Sequence, residues 1–341
     1  MYMLVMGIES SCDECAIAVV EDGRRILSNE IASQIDIHRP FDGVVPEIAS
    51  RMHTEWILSV ARQSLKNAGV GLDKIDGIAV TNRPGLVGSL LIGLNFAKGL
   101  ALARNIPFVG IDHIRAHLYA PHLEYDIEYP YLGLLVSGGH TVISRVEDFD
   151  TIKVMGATID DACGEAFDKV AKHYQLGYPG GVAIDKLAQS KGANPQAFAF
   201  PDPSLHKGTH RYDVSYSGLK TAVINQLDQF WDGESEKSPE NIAASFQRAA
   251  IDMLVRRVKR AVKDTGLTRI VAGGGVAANS LLRSRLEQME GVEAVFPSMG
   301  LCTDNGAMIA GIGYHYLKRG EHSDFSLNAY PRVKRFRKTY P

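Results

Sequence analysis

The chain reads as an α/β protein in which one layered pattern occurs twice. A short apolar run, a small polar turn and a second apolar run stand at Leu4–Ile8, Glu9–Glu14 and Ala16–Val20, which is a β-hairpin signature. The same pattern returns about 125 residues later, at Tyr131–Val136, Ser137–Thr141 and Val142–Val146. After each hairpin, strand-like and helix-like segments alternate, as in a layered α/β fold. The likeness of the two halves lies in pattern rather than identity. Each half is expected to open on a hairpin whose turn points into a shared cleft.

Taken in order, Val45–Ala68 reads as a helix that begins near Pro46 and Glu47 and stops before Gly69. Ile75–Val80 is strand-like, Asn82–Gly88 a turn, Ser89–Arg104 a helix and Ile106–Ile111 a strand. His113 opens a further helix. In the second half, Asp160–Lys172 is helical, Leu176–Gly181 is a glycine-rich turn, and Ile184–Ser190 is a short helix. Residues 192–216 are rich in Pro, Gly, His and Asp and read as a long loop or insertion. Ser245–Thr265 is an amphipathic helix, Arg269–Ala272 a strand, Ala277–Gln288 a helix, Glu293–Phe296 a strand and Asn305–Lys318 a helix.

The totals set bounds. A length of 341 residues suggests about two domains, and 45% hydrophobic with 22% charged residues is ordinary for a globular chain with a full core. The net charge of -2 offers no whole-molecule attraction for nucleic acid, so any such argument must rest on local patches. The four cysteines, Cys12, Cys15, Cys163 and Cys302, are too few and too scattered for a disulfide framework, so a reducing compartment, the cytoplasm, is expected. Met3–Ile8 is followed at once by Glu9, Asp13 and Glu14, which suits a buried strand rather than a signal peptide. Leu86–Ala103 carries Asn95, Lys98 and several glycines and reads as a buried helix rather than a membrane span.

Four constellations carry chemistry. His113 and His117 stand four apart at a helix start, so both imidazoles share one face and can hold part of a transition-metal shell; an ordinary histidine pair is the alternative. Asp304, in the loop before the last long helix, is either a third ligand or a helix cap. The hairpin tip Leu135–Thr141 has small residues that let backbone N–H groups approach an anionic oxygen, with hydroxyls on Ser137 and Thr141; a plain tight hairpin is the alternative. Val271–Asn279 runs strand, triple glycine, helix, and a helix amino terminus attracts phosphate; a purely structural turn is the alternative.

Two further readings are weak. Cys12-x-x-Cys15 has no second cysteine pair, and the flanking acids would raise its thiol pKa values. A zinc protease of the His-Glu-x-x-His type needs Glu after the first histidine, and Ile114 stands there. The tail sets Arg332, Lys334, Arg335, Arg337 and Lys338 around Phe336 and Tyr340, a basic patch suited to RNA phosphates or a solvated tail.

A set of motifs in order along the chain resembles the tRNA N6-adenosine threonylcarbamoyltransferase family, the TsaD group, formerly labelled O-sialoglycoprotein endopeptidase-like. They are Gly7–Glu14, Gly43–Glu47 with Ala49–His53, Pro84–Gly88, His113–His117, Leu135–Thr141, Gly164–Lys169, Tyr178–Gly181, Tyr216–Thr221, Gly274–Asn279 and Cys302–Ala307. The resemblance implies two duplicated RNase H-like (actin-like ATPase) lobes with the active site in the cleft between them. The expected lobes are 1–112 with about 306–341, and 113–305 with the insertion near 192–216. It implies transfer of threonylcarbamoyl from threonylcarbamoyl-AMP to N6 of adenosine 37 of tRNA, with release of AMP. A metalloprotease or an ATP-binding actin-like ATPase is the competing reading.

The resemblance places metal ligands on His113, His117 and Asp304. It places substrate contacts on Leu135, Val136, Ser137, Gly138, Gly139, Asp168, Gly181, Asp185 and Asn279. If a base is used, Glu9 or Asp13 is the candidate. One divalent ion is implied, Fe2+ ahead of Zn2+. The implied partners are tRNA, a paralogous metal-free TsaB-like subunit and a small TsaE-like ATPase, with Val45–Ala68 or Ser89–Arg104 as a contact. Arg83 stands where the family usually has Gly, and Cys15 and Cys163 where Thr and Ala are more familiar.

Overall fold

The computed structural model describes residues 2–202 and 210–332. They form two compact units, one from residues 2–127 and 297–332, the other from Glu128–Phe296. The first holds β1 (Leu4–Glu9), β2 (Glu14–Glu21), β3 (Arg25–Ser33), α1 (Ile35–His38), α2 (Pro46–Ala68), β4 (Gly77–Arg83), α3 (Val87–Arg104), β5 (Phe108–Asp112) and α4 (His113–Tyr119). The second holds β6 (Tyr131–Val136), β7 (Thr141–Val146), β8 (Ile152–Ala157), α5 (Cys163–His173), α6 (Gly180–Ala188), α7 (Tyr216–Asn225), α8 (Pro239–Thr265), β9 (Arg269–Gly273), α9 (Ser280–Glu287) and β10 (Glu293–Val295). The chain then returns to the first unit as α10 (Met299–Cys302) and α11 (Gly306–Lys318).

The duplication is real at the level of topology. One sheet has the order β3-β2-β1-β4-β5 and the other β8-β7-β6-β9-β10. In each, the first three strands form an antiparallel meander and the last two run parallel to the hairpin's first strand. A helix precedes each parallel strand: α2 and α3 in the first unit, α8 and α9 in the second. These are RNase H-like lobes; the second carries α5, α6 and α7 between its meander and its first crossover helix.

Several boundaries differ from expectation. Residues 113–127 and 297–305 group with the first unit, not the second, so all three proposed metal ligands sit in one unit. Strands β3 and β8 close the edge of each meander and had not been expected. In β3 the apolar residues come as the doublets Ile26–Leu27 and Ile31–Ala32, which hides strand alternation. Helix α8 begins at Pro239, six residues before the expected start, because the Ser238 side chain accepts from the Asn241 N–H and Pro239 sits in the first turn. Helix α7 emerges at Tyr216, where a loop was expected to end. The expected helix from Ala277 splits into a short 3-10 turn and α9, with Asn279 as the cap between them. Beyond Arg332, the basic tail lies outside the described residues.

Helix α3 is long and apolar enough to cross a membrane by length and composition. Its Leu90, Leu94, Ala97 and Ala101 instead join Met6, Ile8, Ile78 and Val80 in the core of the first unit. On the sheet's other face α11 comes unusually close. A Cβ on Gly7 would stand 2.1 Å from the Gly306 carbonyl oxygen, and one on Gly313 would stand 2.3 Å from Ala79 Cβ. Gly306, Ala310 and Gly313 share one helix face, so backbone packs on backbone there.

Candidate functional site

The metal candidates are assembled by one strand end and two helix starts. β5 ends on Asp112, whose Oδ1 accepts from the N–H groups of Ile114 (3.0 Å) and Arg115 (3.4 Å) and so caps α4. That fixes the first turn carrying His113, with His117 one turn on. Helix α11 is capped by Asn305, which accepts from the Met308 N–H at 2.9 Å. The cap is therefore Asn305, and Asp304, the residue before it, is left to face the histidines.

His117 Nε2 lies 3.2 Å from His113 Nε2 and 3.0 Å from Asp304 Oδ1, and His113 Nε2 lies 3.5 Å from that same oxygen. Three donors at such spacings surround a point about 2 Å from each, the bond length of a first-row divalent ion. Both imidazoles are buried. Among the described residues, His113, His117 and Asp304 form a group that can hold a metal ion.

Glu9, at the end of β1, is fully buried and both of its oxygens are engaged. Oε1 accepts from the Ser11 N–H at 2.6 Å; Oε2 accepts from the Thr81 hydroxyl at 2.6 Å and from His113 Nδ1 at 3.0 Å. A ring nitrogen facing a carboxylate carries the proton, so the His113 Nε2 lone pair points at His117 and Asp304. This is the carboxylate–histidine arrangement that orients metal-binding imidazoles.

Electrostatics favour a cation here. Burial opposes charge on His113, yet Asp304 and Glu9 raise its imidazole to about 9. His117 is lowered, by burial and then by His113. Burial works to raise Glu9, but the charge and hydrogen bond of His113 hold it below its ordinary range. Glu14 is pushed well up by burial, Asp13 and Asp304. Asp13 itself is buried beside them.

Burial silences the thiols. Burial, Asp13 and Asp304 push Cys12 well above its usual value, and burial sends Cys15 and Cys163 to about 12. All four cysteines are free. Native protein at pH 8 is therefore expected to leave Cys15 and Cys163 unlabelled by iodoacetamide over an hour, by peptide mass mapping; rapid labelling of both would contradict this.

Arg83 also finds a task. A register shift after Thr81 sets Arg83 opposite Asp112 in the β4–β5 ladder, and Arg83 Nε donates to Asp112 Oδ2 at 3.1 Å. The pair braces the cap of α4, which carries His113 and His117. Arg83 is partly exposed, so its loss is modest in energy, under about 1 kcal/mol. Arg83→Ala is expected to weaken metal retention by less than about tenfold, read by chelator competition; a hundredfold loss would assign it a larger part.

The remaining candidates lie in the second unit. Leu135 and Val136 end β6 with buried side chains, so only their backbone is available to a ligand. Ser137 accepts from the His140 N–H through Oγ (3.1 Å), and its carbonyl accepts from the Gly164 N–H (3.1 Å). Gly138, Gly139, Gly181 and Gly275 have open space where a Cβ would be. Gly274 holds a positive φ of 90°, and a Cβ there would stand 2.5 Å from the Val136 carbonyl oxygen. The hairpin tip and the triple glycine are thus one structure.

Asp168 Oδ1 accepts from the Gly180 N–H at 2.8 Å and tethers the start of α6. Asp185 accepts from Ser280 Oγ (2.6 Å), Gln247 Nε2 (3.1 Å) and Asn279 Nδ2 (3.3 Å). Asn279 also donates to Gln247 Oε1 at 3.1 Å and caps α9. The structure therefore joins Asp185 and Asn279, 94 positions apart in the chain, and adds Gln247, which carried no sequence signal beyond a buried place on α8.

The profile of the tRNA N6-adenosine threonylcarbamoyltransferase family, TsaD, matches residues 25–311. The chain belongs to this family. The tRNA N6-adenosine threonylcarbamoyltransferase of Treponema denticola is 63% identical over 336 residues, 98% of this chain and 99% of that one. The Borrelia hermsii enzyme of the same name is 54% identical over 99% of this chain and 98% of its own. Among solved structures, full-length HypF covers 94% of this chain and 47% of its own, at TM-score 0.62 and 13% identity. The component A of the Acidaminococcus fermentans (R)-2-hydroxyglutaryl-CoA dehydratase covers 93% and 99%, at TM-score 0.56 and 16% identity. Both share the fold.

Proposed function

We propose that this member of the TsaD family transfers threonylcarbamoyl from threonylcarbamoyl-AMP to N6 of adenosine 37 in tRNA, the adenosine just 3′ of the anticodon. The adenosine amine attacks the carbamoyl carbon, the bond from that carbon to the phosphate oxygen breaks, AMP departs, and one proton leaves N6. The observation that carries the reading is the family match over residues 25–311 in a chain whose three donors His113, His117 and Asp304 converge.

The donor set of two imidazoles and one carboxylate fits Fe2+ and Zn2+ alike, and the family resemblance puts Fe2+ ahead. A divalent ion held there supplies Lewis-acid polarisation of substrate oxygens. Glu9, with both oxygens occupied, orients His113 rather than removing a proton, which leaves Asp13 as the candidate base. In the second unit, the backbone from Leu135 to Gly139 and the open Gly181 suit an adenylate, with Asp168 tethering α6 and the Asp185–Asn279–Gln247 network setting the start of α9. AMP is a good leaving group, so positioning and electrostatics supply most of the rate.

The family resemblance adds a TsaB-like subunit and a TsaE-like ATPase, working in the cytoplasm. Exposed Leu58 on α2 and Leu91 and Leu102 on α3 suit the subunit contact. The protease reading is disfavoured by Ile114, which stands directly after the first histidine where a zinc protease of this type needs its Glu. The test supplies purified chain, with these partners, with threonylcarbamoyl-AMP and unmodified tRNA, then digests the tRNA for nucleoside mass spectrometry. Threonylcarbamoyladenosine is expected with one AMP per transfer; AMP release without modified nucleoside would refute the reading.

A further inference from the structure

Helix α8 buries one side in the second unit and shows solvent a basic one. Arg256, Lys259, Arg260 and Lys263 recur at i, i+3, i+4 and i+7, which puts them on one helical face spanning about 10 Å. Arg256, Lys259 and Lys263 are exposed. Arg211 joins them from the adjoining segment, where the Arg260 guanidinium donates to its carbonyl at 3.0 Å.

The acids on this face do not cancel the charge. Asp202 pairs with Arg256 (2.8 Å) but is also held by the buried Arg257 (3.1 Å), which neutralises it from within. Asp264 pairs with Arg211 and accepts from the Tyr212 hydroxyl at 2.6 Å. Asp252, one turn before Arg256, is paired to Arg285 of α9 at 3.0 Å. Among the described residues Lys259 and Lys263 meet no carboxylate, and the Arg260 guanidinium bonds a carbonyl rather than an acid. The chain as a whole carries a charge of -2, so the stripe is a local excess and not general basicity.

We infer that this face of α8 grips the phosphate backbone of the tRNA substrate. The inference rests on the function proposed above. A row of flexible ammonium and guanidinium groups on a rigid helix suits a polyanion with regularly spaced charges. Contacts of this kind position the RNA and do not read its bases. An acidic protein surface would meet the same cations, and the test separates the two.

Lys259→Glu/Lys263→Glu and the milder Lys259→Gln/Lys263→Gln are compared with wild type, full chain in each case, by anisotropy of labelled tRNA between 50 and 200 mM salt. The Glu pair is expected to weaken binding by at least about tenfold, and either pair to lower the log–log salt slope by about two. Transfer at saturating tRNA stays unchanged while KM for tRNA rises in step. Unchanged affinity and slope in both pairs would overturn the inference, including the case in which the face serves an acidic protein. If wild type binds tRNA with the expected slope yet makes no modified nucleoside, the proposed reaction fails while the surface stands.

Discussion

Asp304→Ala is expected to strip the metal from the protein. The substitution leaves two neutral imidazoles, their Nε2 atoms 3.2 Å apart, with no anionic donor between them. Changes at residues that merely support metal ligands cost about 10–100-fold in affinity, so loss of the one charged ligand should exceed 100-fold. Metal content by inductively coupled plasma mass spectrometry should fall from about one per chain to near zero after dialysis against a weak chelator, and transfer should fall with it. Fold should hold, because Asn305 rather than Asp304 caps α11. Glu9→Gln makes the informative contrast. Its amide oxygen can still accept from His113 Nδ1, so ring orientation survives while the charge is lost. An intermediate effect, about 10–100-fold on metal affinity, is expected. Retained metal in Asp304→Ala would remove that carboxylate from the ligand set.

Gly7→Ala is expected to damage stability and the site together. Its Cβ would lie 2.1 Å from the Gly306 carbonyl oxygen and 2.5 Å from the Ala310 nitrogen, both backbone atoms that no rotamer change can move. Overpacking of this sort costs roughly 1–3 kcal/mol, and the backbone contact places this case at the upper end. That corresponds to a Tm about 6–12 °C lower for the first unit, by calorimetry. The route of relaxation matters more than the cost. Helix α11 must move off β1, and Asp304 precedes α11 while Glu9 ends β1. Metal affinity should therefore fall even in the fraction that remains folded at 20 °C. A variant with unchanged Tm and metal affinity would show that α11 yields freely.

The two halves were legible because a hairpin is a local pattern, and both hairpins lie where their apolar runs place them. Strands β3 and β8 were not; in β3 the apolar residues come as the doublets Ile26–Leu27 and Ile31–Ala32 rather than in alternation. The histidine pair was legible for the same local reason: four residues is one helical turn. What the pair does was not, because it depends on Asp304, 187 positions away, and on Glu9, 104 positions away. Those contacts follow from the register of β1, β4 and β5, which no spacing in the chain reveals. Glu9 is a candidate base in the sequence, and only the observed bonds from Ser11, Thr81 and His113 give it an orienting role. Gly306, Ala310 and Gly313, small residues at helical spacing, are the sequence signal for the close backbone approach of α11.

The most direct test titrates metal into chelator-treated full-length protein and follows transfer of labelled threonylcarbamoyl to tRNA in the same samples. Transfer should rise linearly with added Fe2+ and level off at one equivalent per chain, and the Asp304→Ala protein should stay flat throughout. Full transfer by the metal-free protein, or activity restored equally in Asp304→Ala, would contradict the central claim that His113, His117 and Asp304 hold the ion the reaction uses.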